Sequence, residues 1–392
     1  MTLPDTLELI RRLVRIPSVS SASPERDMSN RAVVDQLAEW LEALGWSVHV
    51  TPIAGRDDKV NLVARLGAGK DGLVLAGHTD TVPWDEGLWH FDPLDVTERE
   101  GRLYGLGTAD MKGFLALVVD ALRDLDAAHL SRPVVVLATA DEETSMAGAH
   151  ALREPLGRYC LVGEPTGLVP VHRHKGILME AITLHGRAGH SSDPAAGNSA
   201  LEGMVALAQE LLAYRDELQQ TWHDSTFSVP EPTLNLGRIQ GGDSPNRICA
   251  RCELELDLRL LPGMDPGRLR RALRERARCI AEQRGLQIDF TALFEGIPAL
   301  ETPRGSAFLG LVESLSGHRA ATAAFGTEGP FYQALGMETV VCGPGAIAQA
   351  HRPDEFLDWR QARQASELIR RLVHTLCGRG AGDDRPQESS SV

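Results

Sequence analysis

The chain has 392 residues, 43% hydrophobic and 24% charged, the composition of a globular protein in water with room for two or three domains. Its 54 Asp and Glu against 40 Lys and Arg give a formal net charge of -14, which argues against a general nucleic-acid or anionic-membrane binder and favours cationic ligands. No apolar run approaches the ~20 residues of a membrane span, and residues 1–10 lack the basic and apolar regions of a signal peptide, so a cytoplasmic protein is expected.

Residues 4–15 place Leu7, Ile10, Leu13 and Val14 on one helical face, and residues 30–44 do the same with Val33, Leu37, Trp40, Leu41 and Leu44. Residues 45–50 and 60–64 read as strands, and 73–77 as a buried strand that ends at His78-Thr79-Asp80. Residues 104–113 then lead into a helix whose Leu115, Val118, Val119, Leu122 and Leu125 share a face. Gly105 and Gly107 begin a G-x-G pattern, but Asp110 stands where a dinucleotide site needs its third glycine and would repel a pyrophosphate.

Residues 133–137 form a β-branched apolar run, read as a strand covered on both faces, and three acids, Asp141-Glu142-Glu143, follow at its end. Another short strand, 159–163, ends at Glu164. Alternating strands and helices on this scale predict an α/β domain with a mostly parallel sheet.

From about Gly176 the pattern changes. Strands at 177–185, 233–240, 249–260 and 286–293 alternate with helices at 199–214 and 265–284, the β-α-β-β-α-β order of a ferredoxin-like module inserted into the first domain. The α/β domain resumes with 305–316, a strand at 339–345 and a closing helix at 362–376. The expected division is therefore 1–176 and 295–377 for the catalytic domain, 177–294 for the insertion, and 378–392 for a disordered tail. The six cysteines are too scattered for a disulfide framework. Cys249 and Cys252 spell C-x-x-C but lie in a strand-like segment, where positions three apart face opposite ways, which argues against a zinc or redox pair.

Several predicted strand ends thus carry a residue able to bind metal: His78, Asp110, Glu143, Glu164 and, late in the chain, His351. Open α/β sheets bind ligands at the carboxyl ends of their strands, and clustered carboxylates call for a cation. No local metal motif of the H-E-x-x-H type is present, and no G-x-S-x-G elbow points to a serine hydrolase.

At these positions the chain resembles a known family. His78-Thr79-Asp80, residues 107–113, Asp141-Glu142-Glu143, Gly163-Glu164-Pro165, Gly189-His190-Ser191 and Ala350-His351 look like the signatures of the dinuclear zinc amidohydrolases, which include succinyl-diaminopimelate desuccinylase, aminoacylase and bacterial glutamate carboxypeptidase. The strings 78–83, 138–148, 232–237, 241–249 and 349–355 are closest to the branch that deacetylates N2-acetyl-L-ornithine.

The resemblance implies two zinc ions per chain, with cobalt as a substitute, bridged by Asp110 and completed by His78 and Glu164 at one site and Glu143 and His351 at the other. It makes Glu142 the general base for a hydroxide held between the ions, Asp80 the acceptor of the free ring N–H of His78, and His190 a donor to the oxyanion. The insertion becomes a lid and dimerisation domain, and the protein a homodimer. Asn246, Arg247 and Arg259 become carboxylate clamps, although Arg259 also stands on the polar face of its strand, and Thr327 and Glu328 lie where relatives bind substrate. Hydrolysis of N2-acetyl-L-ornithine to L-ornithine and acetate, a step of arginine biosynthesis, is the expected activity. A broader N-acyl-amino-acid deacylase, a succinyl-diaminopimelate desuccinylase or a dipeptidase on the same scaffold is the alternative, and a non-catalytic metabolite-binding relative a remote one. His90, His172, His174 and His223 are expected to be structural or surface residues.

Overall fold

The computed structural model describes residues 3–379, with Glu295 by its backbone alone, and most of the tail expected over 378–392 lies outside the described residues. The chain divides into two compact units, the first made of residues up to His172, Thr302–Ala320 and residues from Phe331 on, the second of Arg173–Glu301 and Ala321–Pro330. Among the described residues no helix is long and apolar enough to cross a membrane.

The first unit is built on a sheet in the order Ser47–Ile53, Arg56–Leu66, Val134–Thr139, Leu73–His78, Tyr159–Pro165, Glu338–Gly343. The last four strands run parallel, and the two outer ones pair antiparallel. Every residue of Leu73–His78, Val134–Thr139 and Tyr159–Pro165 is buried, the signature of strands covered on both faces rather than one. Because these strands are parallel, their carboxyl ends emerge together, and so do the residues that follow them.

Helix Lys112–Ala121 packs against Thr6–Val14 and Trp359–Cys377. Leu9, Ile10, Leu13, Leu115, Val118, Leu368, Ile369 and Leu372 from these three helices share one core with the sheet. Each such side chain contributes about 1.5–3 kcal/mol by leaving water. The apolar stripe of Thr6–Val14 is closed off by Asp5, which accepts the Glu8 N–H at 2.9 Å as an N-cap. A small antiparallel sheet of Thr97–Arg99, Arg102–Tyr104 and Phe356–Asp358, with Phe356 opposite Tyr104, has no counterpart in the sequence reading. Gly378 and Arg379 are bonded back onto the body, through a bridge to Leu130 and an N–H donated to the His129 carbonyl.

The second unit carries an antiparallel sheet in the order Thr233–Gly241, Arg251–Leu260, Gly176–His185, Gln287–Ile297, with helices Ala200–Thr221 and Pro266–Gln283. In chain order this is β-α-β-β-α-β, the ferredoxin-like arrangement. Cys252, Leu254, Leu256, Leu258 and Leu260 are buried and their neighbours are not, so this sheet is covered on one face. Ser199 and Asp265 cap the two helices, and Pro266 fills a first-turn position that needs no N–H. Glu180 is fully buried between the guanidinium groups of Arg270 and Arg274. All six cysteines are free, and burial raises the pKa of Cys252, which suits a packing role rather than a reactive one.

Candidate metal centre

His78 is the last residue of its strand and is buried. Its Nδ1 lies 3.0 Å from the backbone carbonyl of Asp80. A carbonyl can only accept, so Nδ1 carries the hydrogen and Nε2 presents a lone pair. That Nε2 faces Asp110 Oδ1 at 3.1 Å and Glu164 Oε1 at 3.9 Å. On the other side His351 Nε2 lies 3.0 Å from Glu143 Oε2 and 3.6 Å from Asp110 Oδ2. The five side chains therefore form two triads, His78–Asp110–Glu164 and Asp110–Glu143–His351, in each of which the ligand atoms lie within 4.8 Å of one another. Asp110 belongs to both and turns a different oxygen to each.

The chemistry of this set fits a pair of divalent cations. Three carboxylates packed at one sheet edge repel one another and are costly to bury without positive charge. Burial disfavours the protonated ring of His78, but Asp110, Asp80 and Glu164 outweigh it and raise its pKa well above the ordinary value. The bond to Glu143 raises His351 to about 9. Burial and the charge of Asp110 raise Glu143. A field that draws protons onto imidazole lone pairs draws cations to the same atoms. Imidazole nitrogen and carboxylate oxygen together are a donor set that zinc accepts.

The acid turn after Val134–Thr139 is held from below. Asp141 Oδ1 accepts from Lys59 Nζ at 2.5 Å and from Ser20 Oγ at 3.0 Å. Lys59 is fully buried within its strand and also reaches Asp27 at 2.8 Å. Asp141 and His351 both adopt left-handed backbone, with φ of 56° and 59°, a conformation that non-glycine residues hold only where their surroundings fix it. Glu142, on the same turn, is largely buried.

Asp80 differs from the role implied by the resemblance. Its carboxylate stands 3.7 Å from His78 Nδ1, farther than its own carbonyl. It accepts instead the backbone N–H groups of Glu142 at 3.2 Å and Glu143 at 3.0 Å. The reason is local. The turn 141–143 leaves amides that need acceptors, and the carboxylate meets them while the carbonyl steadies the ring.

Sequence reasoning missed Glu355, which is buried and whose two oxygens accept three N–H groups of the Asp110 loop: Gly107 at 3.1 Å, Ala109 at 2.8 Å and Asp110 at 3.0 Å. Burial and the charge of Asp110 push its pKa up to about 8, while the three amides pull it down. Cations at the neighbouring ligands would favour its ionised form. Gly107 turns this loop with φ of 79°. Next to Glu164, a Cβ on Gly163 would stand 2.2 Å from the Phe114 ring, so only glycine lets the helix approach the strand here.

The other expected site residues lie in the second unit. His190 and Arg247 form an antiparallel bridge, and Asn246 accepts the Ser191 N–H at 3.1 Å, so these three are neighbours. His190 is exposed, and its Nδ1 accepts the Ser192 N–H at 3.2 Å, which leaves Nε2 as the donor in the neutral ring. Arg247 pairs with Asp243, and Arg259 with Asp257 at 2.8 Å.

Glu328 is buried. Thr327 is buried too, and its hydroxyl is already spent. His174 Nδ1 donates to the Lys175 carbonyl at 2.9 Å, so its Nε2 must accept the Thr327 hydroxyl at 3.0 Å, and the same oxygen accepts the Gly329 N–H. With its one hydrogen given to His174, Thr327 shapes its loop rather than donating to a substrate. Burial lowers His174 to about 4, which keeps that ring neutral. His172 is buried, and His90 and His223 are exposed, their Nδ1 atoms 2.6 Å from Asp354 and 3.3 Å from Glu231.

Residues 74–375 match the sequence model of peptidase family M20/M25/M40. Over 381 residues, 96% of this chain and 97% of the relative, the sequence is 46% identical to an acetylornithine deacetylase of Proteus mirabilis. The fold is similar to that of aminopeptidase PepT from Bacillus cereus, with a TM-score of 0.73 at 19% identity over 95% of this chain and 98% of that one. It is likewise similar to an M20 family metallo-carboxypeptidase from Sulfolobus solfataricus, with a TM-score of 0.72 at 18% identity over 95% and 99% of the two chains.

Proposed function

The chain belongs to peptidase family M20/M25/M40, and from that premise we infer that it is a metal-dependent amidohydrolase that converts N2-acetyl-L-ornithine into acetate and L-ornithine. The observation that carries this reading is the pair of ligand triads sharing Asp110, in a chain 46% identical over nearly its whole length to the Proteus mirabilis acetylornithine deacetylase.

His78, Asp110 and Glu164 would hold one divalent ion, and Asp110, Glu143 and His351 the other. Bound there, two zinc ions, or cobalt in their place, supply Lewis-acid polarisation of the amide carbonyl and a more acidic water. Glu142 would take a proton from the attacking water as the water oxygen bonds to the acetyl carbon, then return it to the α-nitrogen as the C–N bond breaks. Asp80 keeps Glu142 and Glu143 in place through their backbone amides. His190, from across the dimer interface, offers a ring N–H to the developing oxyanion. Asn246, Arg247 and Arg259 are candidate partners of the α-carboxylate, and Glu328 of the side-chain ammonium. A cytoplasmic homodimer working in arginine biosynthesis completes the reading.

The test is a zinc count per chain together with acetate release from acetylornithine, before and after chelation, and a panel of acylated amino acids. Two ions, loss of turnover on chelation and preference for acetylornithine are expected. Higher kcat/KM on succinyl-diaminopimelate or acetylmethionine would reject the substrate, and unchanged selectivity in Glu328→Gln would remove Glu328 from its recognition.

A further inference from the structure

Glu355 is no metal ligand in either triad, yet its side chain also joins the two segments from which Asp110 and His351 come. The small sheet explains how. Phe356–Asp358 pairs with Arg102–Tyr104 in a register that sets Phe356 opposite Tyr104. The residue before Phe356 is thereby carried to Gly105, whose N–H donates to the Glu355 carbonyl at 3.0 Å. From that point the carboxylate reaches the inside of the loop that follows. Oε2 takes the Gly107 N–H, and Oε1 takes those of Ala109 and Asp110.

We propose that Glu355 is a positioning residue of the metal centre, one that fixes the backbone of the shared ligand Asp110 and ties it to the segment bearing His351 before any ion arrives. The inference rests on the two-ion reading above and concerns a residue with no place in it so far. The chemistry of the contact favours a carboxylate over an amide. Three donors converge on two acceptor atoms, and the NH2 group of a glutamine would turn a donor toward at least one of them. The neighbouring acid supplies a control. Asp354 fixes the same segment by accepting the His90 and Phe91 N–H groups at 2.8 and 3.3 Å and pairing with the His90 ring, without a bond to the Asp110 loop.

The experiment is titration of the metal-free full chain with zinc against a competing chelator, with far-UV circular dichroism and melting temperature recorded for each variant. Glu355→Gln is expected to weaken both zinc ions by about 10–100-fold, the usual cost of losing a group that orients metal ligands, with the fold retained. Both ions suffer because Asp110 serves both. Asp354→Asn is expected to leave the His78 ion near wild-type affinity. If Glu355→Gln does not fold, Glu355→Asp keeps both acceptor oxygens and carries the comparison, with a smaller loss expected at both ions. A variant that melts lower but binds two zinc ions as tightly as wild type would overturn the proposal and leave the deacetylase reading standing. A wild-type chain that takes up no zinc would overturn both.

Discussion

The backbone carbonyl of Asp80, not its carboxylate, is the nearer partner of His78, at 3.0 Å against 3.7 Å. The carboxylate belongs to the acid turn, where it accepts the amides of Glu142 and Glu143. Asp80→Asn can keep only one of those two bonds. Turnover should fall, and zinc affinity should weaken more at the Glu143–His351 ion than at the His78 ion. A site-resolved zinc titration checks this, and selective loss of the His78 ion would mean that the carboxylate governs the ring after all.

The division of labour between neighbouring acids gives a second expectation. Glu142 is in neither ligand triad, whereas Asp110 is in both. Glu142→Ala should retain two zinc ions per chain and lose about 10²–10⁴-fold in kcat, the range for a general base. Asp110→Ala should lose both metal and turnover. Metal analysis beside steady-state kinetics separates the cases, and an active Glu142→Ala enzyme would end the proton-transfer role.

Lys59 is fully buried and bonded to Asp27 and Asp141. Breaking a buried ion pair from one side costs about 3–5 kcal/mol, because a buried charge loses its counter-charge; here Asp27 would keep the Arg56 guanidinium and Asp141 the Ser20 hydroxyl. Lys59→Met should destabilise the chain on that scale and lower kcat by releasing the turn that carries Glu142. Adding Asp141→Asn to Lys59→Met should recover part of the stability in chemical denaturation. Full additivity of the two losses would show that the two residues are not coupled.

His174 gives a pH prediction. Its folded-state pKa is lowered from 6.5 to about 4, so between those values the unfolded chain binds a proton that the folded chain refuses. Stability from this group is therefore complete above 6.5 and is lost as the pH falls toward 4, by at most about 3 kcal/mol. Urea midpoints at pH 7 and pH 5 should differ less in His174→Gln than in wild type. An equal pH dependence in both would show that another group is responsible.

His78, Glu143 and Glu164 were legible as residues at the ends of apolar runs, because a parallel sheet gathers such ends on one side, whereas Asp110 and His351 stand on loops and were singled out by the resemblance. The ferredoxin-like order was legible because alternating burial in segments such as Arg251–Leu260 is written directly into hydrophobicity. Glu355 was not legible, since its partners are backbone amides that every residue possesses and its position depends on a three-residue strand pairing across 250 residues of chain, as Gly105 and Glu355 show. Lys59 did leave a trace. A lysine and an asparagine, Lys59 and Asn61, flank Val60 just before the apolar run Leu62-Val63-Ala64 of the same strand, and buried polar side chains of that kind need partners. At Thr327 the string marked a place where relatives bind substrate, and only the tautomer of His174 reveals that the hydroxyl hydrogen is committed to that ring.

The first unit is discontinuous, and this orders events on the ribosome. All four main strands and both long helices of the second unit have been synthesised by Ile297, so that module can begin folding early. Strand Glu338–Gly343, His351, Glu355 and helix Trp359–Cys377 emerge last, yet the first unit needs them for its sheet, its Asp110–Glu143–His351 triad and its core. Nascent chains halted before His351 would hold His78, Asp110 and Glu164 without the other imidazole, so the second triad is completed only late in synthesis.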